Sequence, residues 1–404
     1  MYNAKIFKGI TQGNFMLSKR IQTLSPSLTI GITTLAQELK AEGKDILSFS
    51  AGEPDFGTPI AVKNAAKDAL DAEKTKYTAV PGITEVLQTV ANKLKRDNGL
   101  DYEPSMIQTN NGAKHSLFNL FQAIIDEGDE VIIPAPYWVT YPEQVVYSGG
   151  ISVIVETDDS SEFKITAEQL KSAITPKTKI LMLNSPSNPT GAIYTKVELE
   201  AIAEVLKGTN IIVFSDEMYE KIVYGGATFT STASISEDMF QRTVTINGLS
   251  KAASMTGWRF GYLATPNKEL ISVLNKLQSQ STSNINSITQ SAAITGLDGS
   301  IDEVIEEMRV EFEKRAYEAT DLFNAIDGIS VMRPSGAFYL FVNIKEITDD
   351  SMAFSKELLS QEGVAVVPGV GFGSEGYFRF SFATDIDTIR EGIKRIERFI
   401  NSKR

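Results

Sequence analysis

Residues 243–262 read TVTINGLSKAASMTGWRFGY. Thr243–Asn247 is a β-rich run, and Lys251 stands just beyond its end among small, mostly uncharged neighbours. An ordinary surface lysine lies on a polar helix face with carboxylates in reach. Gly248, Ser250, Ala252, Ala253 and Gly257 instead let backbone or a flat ligand approach closely. Arg259 follows eight places on. This stretch alone permits a plain loop lysine, so the strand that delivers it has to be placed among its neighbours.

Upstream, the β-rich runs Met106–Thr109, Val131–Ile133, Ile151–Val155, Ile180–Leu183 and Ile211–Phe214 alternate with helical patterns such as 113–126 and 195–207. Thr195 with Glu198, and Thr166 with Gln169, have the spacing of a capping box at a helix start. Short, nearly all-apolar strands separated by helices predict an α/β fold whose mainly parallel sheet is covered on both faces. After about residue 300 the texture changes. A long amphipathic helix over roughly 302–326 precedes strands near Phe338–Val342, Val364–Val367 and Tyr377–Phe382, and a helix runs from about 385 to the end. That half predicts a smaller α+β lobe, completed by the N-terminal segment 17–50. GFGSEG, Gly371–Gly376, fits G-x-G-x-x-G, yet a dinucleotide fingerprint must open a helix. Here YFRFSFA follows and alternates like a strand, so the expectation is a glycine-rich turn.

With 404 residues, 42% hydrophobic and 22% charged, the chain can bury a large core in more than one lobe. Its 51 acidic and 39 basic residues leave a net charge of −12, which argues against a general nucleic-acid or anionic-membrane binder. There is no cysteine, hence no disulfide, thiol nucleophile or thiolate-bound metal, and His115 is the only histidine. A Ser-His-Asp triad would have to use it, His-rich metal sites are excluded, and its helix-like surroundings predict a plain helix residue. No apolar stretch is long enough to span a membrane, and residues 1–15 lack the apolar block of a secretory signal. A cytoplasmic protein is expected, with 1–15 an N-terminal arm or extension.

In open α/β sheets, ligands bind beyond the carboxyl ends of the strands. Reading those ends in turn, PAPYW delivers Trp138, NSPSNPTG delivers Asn188, SDEMY delivers Asp216 and Tyr219, and NGLSK delivers Lys251. Any one of these alone is an ordinary turn or core residue. Together they suit one chemistry. An amine with no histidine or thiol beside it suggests an aldehyde cofactor, pyridoxal phosphate. Its ring nitrogen needs an anion (Asp216), its ring oxygen hydrogen-bond donors (Tyr219, Asn188), and its flat ring a stacking face (Trp138). Its phosphate needs a helix N-terminus and a forked cation, which NNGAKHS at 110–116 and Arg259 offer.

The chain resembles, from about Leu17 to its C-terminus, the fold-type I pyridoxal-phosphate aminotransferases, specifically the bacterial aspartate aminotransferases of class I, subgroup Iβ. SAGEPDFGTP (50–59), KYTAVPG (76–82), NNGAKHSLFNLFQA, PAPYWVTYPE, NSPSNPTGAIY, SDEMYE, LSKAASMTGWRFGY, RPSGAFY (333–339), VVPGVGFG and FRFSFA carry the resemblance. It implies a large domain, 61–300, built on a seven-stranded sheet between helices, and a small domain from 16–60 and 301–404. It implies that Lys251 bonds the cofactor aldehyde, Arg259 binds the phosphate and Asp216 pairs with the ring nitrogen. Tyr219 and Asn188 would bond the ring oxygen, Trp138 would stack, and the backbone of Gly112, Ala113 and Lys114 would cap the phosphate. Tyr77 is expected to reach the phosphate of a neighbouring subunit, hence a homodimer with shared sites. Arg379 would clamp the substrate α-carboxylate with Gly52 closing over it; without the resemblance, Arg379 reads as an edge-strand surface arginine.

The implied reaction moves the amino group of L-aspartate to 2-oxoglutarate with ping-pong kinetics, Lys251 serving as general base. Lys114 holds the place that in this subgroup attracts the distal carboxylate. Subgroup members that also act on prephenate often carry a lysine before the Pro-Ser of the N-terminal segment; here that place is Ser25, which weakens the prephenate reading. An aspartate/prephenate, a broad-specificity aromatic or alanine aminotransferase, or a β-lyase would use the same cofactor set. A non-catalytic regulator on this fold would need an added DNA-binding region, and residues 1–16 are too short for one.

Overall fold

Alternate residues of the buried strands enter two different cores, which is why the runs look continuously apolar. On Glu130–Ala135, Val131 and Ile133 join one core and Ile132 the other. On Thr178–Asn184, Ile180 and Met182 likewise oppose Leu181 and Leu183. Each such side chain contributes about 1.5–3 kcal/mol on burial, so both faces of this sheet must be covered.

The computed structural model describes residues 17–26 and 28–403; the expected arm at 1–15 lies outside the described residues. After the short β1 (Leu47–Ser48) come β2 (Ile107–Asn111), β3 (Glu130–Ala135), β4 (Ile151–Glu156), β5 (Thr178–Asn184), β6 (Ile212–Asp216), β7 (Thr243–Gly248) and β8 (Phe260–Ala264). Strands β2 to β8 form one sheet in the order β2-β8-β7-β6-β5-β3-β4, in which only β8 runs against the others. Six of the seven are the runs read from the sequence. The seventh, β8, was hidden behind the lysine motif. Gly261 lies within it because a Cβ there would collide with the backbone of Gly112 and Ala113.

Helices α1 (Leu28–Ala41), α2 (Ile60–Asp71), α3 (Thr84–Asn98), α4 (Ala113–Ile124) and α5 (Thr140–Tyr147) fill the first half of the chain. Both predicted capping boxes form, at Thr166 and at Thr195. The C-terminal half holds a helix over Asp302–Asn324, then β9 (Ser330–Val331), β10 (Tyr339–Asn343), β11 (Val364–Ala365), β12 (Val367–Pro368) and β13 (Tyr377–Ser381). The run expected as one strand at Val364–Val367 is split, because the chain passes from one sheet to another. β11 pairs in parallel with β1, while β12 joins the sheet β12-β13-β10-β9. Segment 17–50 thereby closes onto the C-terminal half, with Ala36 and Ile46 packed beside Leu359 and Ala365. GFGSEG is a glycine-rich turn, with Gly373 and Gly376 at positive φ leading into β13. No helix among the described residues is long and apolar enough to cross a membrane.

Candidate active site

The last residues of β5 and β6, Asn184 and Asp216, are register partners, and Gly248 ends the adjacent β7. A cavity of about 520 Å³ opens beyond these ends. Gly52, Ala113, Lys114, Trp138, Asn188, Asp216, Tyr219, Lys251, Arg259 and Arg379 all line it. Gly112 stands directly behind Ala113 as the residue preceding α4. Tyr77 does not line it and is 91% exposed. Nor does Ser25, whose backbone N–H donates to Glu143 Oε2 at 2.7 Å.

Asp216 is buried at the floor. Its Oδ2 accepts from the Tyr141 hydroxyl at 2.8 Å and its Oδ1 from the Met218 amide at 3.2 Å. Burial pushes this carboxyl up to about 6, against the pull of those two donors and the charge on Lys251. Its neighbour Glu217 accepts from Ser215, Ser231 and the Thr232 amide and does not line the cavity.

Lys251 Nζ donates to the carbonyl of Gly52. Burial, then the charge of Arg379, bring its amine down to about 8. Gly248 beside it serves backbone packing, since a Cβ there would lie 2.6 Å from the Phe260 carbonyl. Arg259 closes the same turn with a left-handed φ of 59°, a conformation costing about 1–3 kcal/mol outside glycine. Its Nη1 donates to the Thr256 carbonyl at 2.7 Å, and its Nη2 lies 2.5 Å from where a Cβ on Gly112 would sit. Gly112 (φ 77°) therefore brings the N-terminus of α4 against the guanidinium. The first amides of a helix have no intrahelical acceptor, so this pairing with Arg259 is an anion cradle.

Arg379 sits on β13, a central strand between β12 and β10, and is 2% exposed. The edge-strand reading of it is corrected by that pairing. Nη1 donates to Asn188 Oδ1 at 2.9 Å and Nη2 to the Ser50 carbonyl at 2.7 Å. The guanidinium lies 4.4 Å from the Tyr339 ring centroid, and its buried Nε has no hydrogen-bond partner among the described residues. Lys114 Nζ lies 4.8 Å over the Trp138 ring; burial, then the charge of Arg259, pull its amine down from the ordinary lysine value. His115 is a helix residue whose Nδ1 accepts from the Asn111 amide at 3.2 Å, outside the cavity.

Three residues of this site were not singled out from the sequence. Tyr339 bonds the Tyr219 hydroxyl at 2.8 Å, Tyr141 bonds Asp216, and Asn184 Nδ2 donates to the Asp216 carbonyl at 2.9 Å. Tyr141 and Tyr339 were legible only as members of the longer motifs PAPYWVTYPE and RPSGAFY.

In a chain of net charge −12, four cations line one cavity. Among the described residues, Lys251, Arg259 and Arg379 spend their hydrogen bonds on neutral carbonyls and the Asn188 amide, and Lys114 lies over an indole. Such a cavity is built to receive anions.

Residues 44–396 match the family described as aminotransferase class I and II. The chain is 48% identical to an aspartate aminotransferase of Bacillus sp. strain YM-2 over 390 residues, 95% of this chain and 99% of the relative. A solved aspartate aminotransferase from Rhizobium meliloti superposes with a TM-score of 0.92 at 40% identity, covering 96% of this chain and 99% of that one. The Thermus thermophilus aspartate aminotransferase with maleate superposes with a TM-score of 0.91 at 41% identity, covering 95% and 99%.

Proposed function

Because this chain belongs to the aminotransferase class I and II family, we propose that it transfers the amino group of L-aspartate to 2-oxoglutarate, using pyridoxal phosphate held in the cavity described above. The set of four basic side chains, none of them in a salt bridge among the described residues, supports this reading most directly. Arg259 with the start of α4 suits a phosphate, Arg379 an α-carboxylate, Lys114 a distal carboxylate, and Lys251 the amine chemistry. The donor set also fits the cofactor ring: a buried carboxyl at Asp216, an indole at Trp138, and the Tyr219 hydroxyl and Asn188 Nδ2 as donors.

When bound, the cofactor supplies an aldehyde and an electron-withdrawing pyridine ring. Asp216 holds a proton on the ring nitrogen. Arg379 orients the substrate through its α-carboxylate, with its unpartnered Nε as an additional donor. Lys251 Nζ, brought down to about 8, is neutral in a useful fraction near physiological pH and so takes the α-proton and returns it. We infer that the division near residues 60 and 300 separates the body that holds the cofactor from the lobe that carries Arg379.

Lys114→Gln tests the specificity. Losing one charge-assisted contact costs about 1.5–3 kcal/mol, roughly tenfold to a hundredfold in kcat/KM for aspartate and glutamate. Alanine and phenylalanine, which place no charge there, should be nearly unaffected. Equal losses on all donors would assign Lys114 to the cofactor or the fold instead.

We also infer a homodimer with shared sites. Tyr77 is held out in solvent by a fixed segment: Gln290 bonds the Thr78 hydroxyl at 3.0 Å and the Ile83 amide at 2.7 Å, and Gln278 bonds the Val80 carbonyl at 3.0 Å. A large aromatic so presented suits contact with a second copy. Mixing Lys251→Ala with Tyr77→Ala subunits should raise activity above either parent, since one heterodimer site then carries neither lesion. No rise after subunit exchange would place each site within one chain.

A further inference from the structure

We propose that Tyr141 is a positioning residue for the ring-binding half of the site, its hydroxyl holding the Asp216 carboxylate and its ring packing at right angles against Trp138. The proposal rests on the cofactor reading above and adds to it a residue argued to act through Asp216 and Trp138.

Tyr141 lies in the first turn of α5 and is 1% exposed. Its hydroxyl donates to Asp216 Oδ2 at 2.8 Å, and its ring meets that of Trp138 edge-on, with centroids 5.5 Å apart and planes at 85°. Both groups expected at the cofactor ring, one at its nitrogen and one on its face, thus lean on a single side chain. Buried beside a carboxylate, the phenol is held far above its ordinary range and can only donate. A donor of this kind favours the ionised carboxylate. The backbone of Asp216 is fixed separately, because its carbonyl accepts from Asn184 Nδ2 and the Ser185 amide. That leaves the orientation of the carboxylate to Tyr141 and the Met218 amide. The titratable groups facing Asp216 are Tyr141 from α5, Lys251 from the turn after β7 and Tyr219 from the turn after β6. Of these, Tyr141 alone is hydrogen-bonded to it.

The test measures binding of pyridoxal phosphate to cofactor-free protein as pH is lowered, followed by the visible absorption band. In the unaltered protein, affinity should fall on the acid side as Asp216 takes up a proton. Tyr141→Phe keeps the ring edge and removes only the hydroxyl. Without that donor the ionised carboxylate is less favoured, its proton affinity rises, and the loss of binding begins at higher pH. The acid midpoint should move upward by about one pH unit, the effect of one charge-assisted hydrogen bond. Asp216→Asn should abolish the acid limb, and adding Tyr141→Phe to it should shift nothing further. A general structural role for Tyr141 would lower affinity at every pH without moving the midpoint. An unmoved midpoint, or a second loss of the same size in the Asp216→Asn background, overturns the proposal while leaving the cofactor reading intact. Failure of the unaltered protein to bind pyridoxal phosphate overturns both.

Discussion

Lys251→Ala is expected to lower turnover of aspartate with 2-oxoglutarate by about 10⁴-fold, the upper range for a positioned acid–base group, and to leave the fold intact. Among the described residues, the side chain's only hydrogen bond is to the Gly52 carbonyl. Truncation therefore leaves both hydrogen bonds of the Asp216 carboxylate in place. It removes an amine that stands against Arg379 and Arg259 as well as near Glu53 and Asp216, so the thermal stability of the cofactor-free protein should change little. The visible band of the loaded protein should vanish with turnover. If band and turnover both persisted, the amine chemistry would belong to another lysine, and Lys114 is the other one lining the cavity.

Asp216→Asn separates catalysis from stability. With a neutral amide in place of the carboxylate, kcat at saturating pyridoxal phosphate should fall by about 10²–10³-fold, as for loss of one preorganised electrostatic partner. The cofactor-free protein should respond in the opposite sense. Asp216 is raised in the folded state to about 6, from the usual 3.8. Below the lower value both folded and unfolded carboxyls are protonated and nothing is lost. As pH rises towards about 6, the unfolded chain ionises first, so the folded state is progressively disfavoured, and the deficit is complete above it. The amide cannot ionise, so the variant's thermal midpoint should exceed that of the parent above about pH 6 and match it well below pH 4. A near-normal kcat would return Asp216 to a purely structural role.

How much of this was legible in the sequence depended on the range of the contacts involved. Strand runs, both capping boxes and the long helix rest on local patterns, and they were read to within a few residues. β8 was missed because nothing local marks it; its place is set by pairing with β2, more than a hundred residues away. Lys251, Asp216, Asn188 and Trp138 could be grouped because strand ends in such sheets converge. Arg379 could not. Its strand alternates like an edge strand, and only the pairing of β13 on both sides, with Ser50 and Asn188 at the guanidinium, buries it. Tyr141 and Tyr339 likewise declare their roles only through partners distant in the chain.

The lateness of β13 has a consequence for biosynthesis. The residues proposed to hold the cofactor within one chain lie between Gly112 and Arg259, on a sheet whose strands are all present once Ala264 has emerged. Arg379 arrives far later, on a strand that must be inserted between β12 and β10. Chains grow from the N-terminus and domains fold as units, so a ribosome-bound nascent chain acquires its anion cradle and its lysine well before it can grip an amino acid. A polypeptide ended between these points would contain every residue proposed to hold the cofactor within one chain and lack the clamp for the substrate.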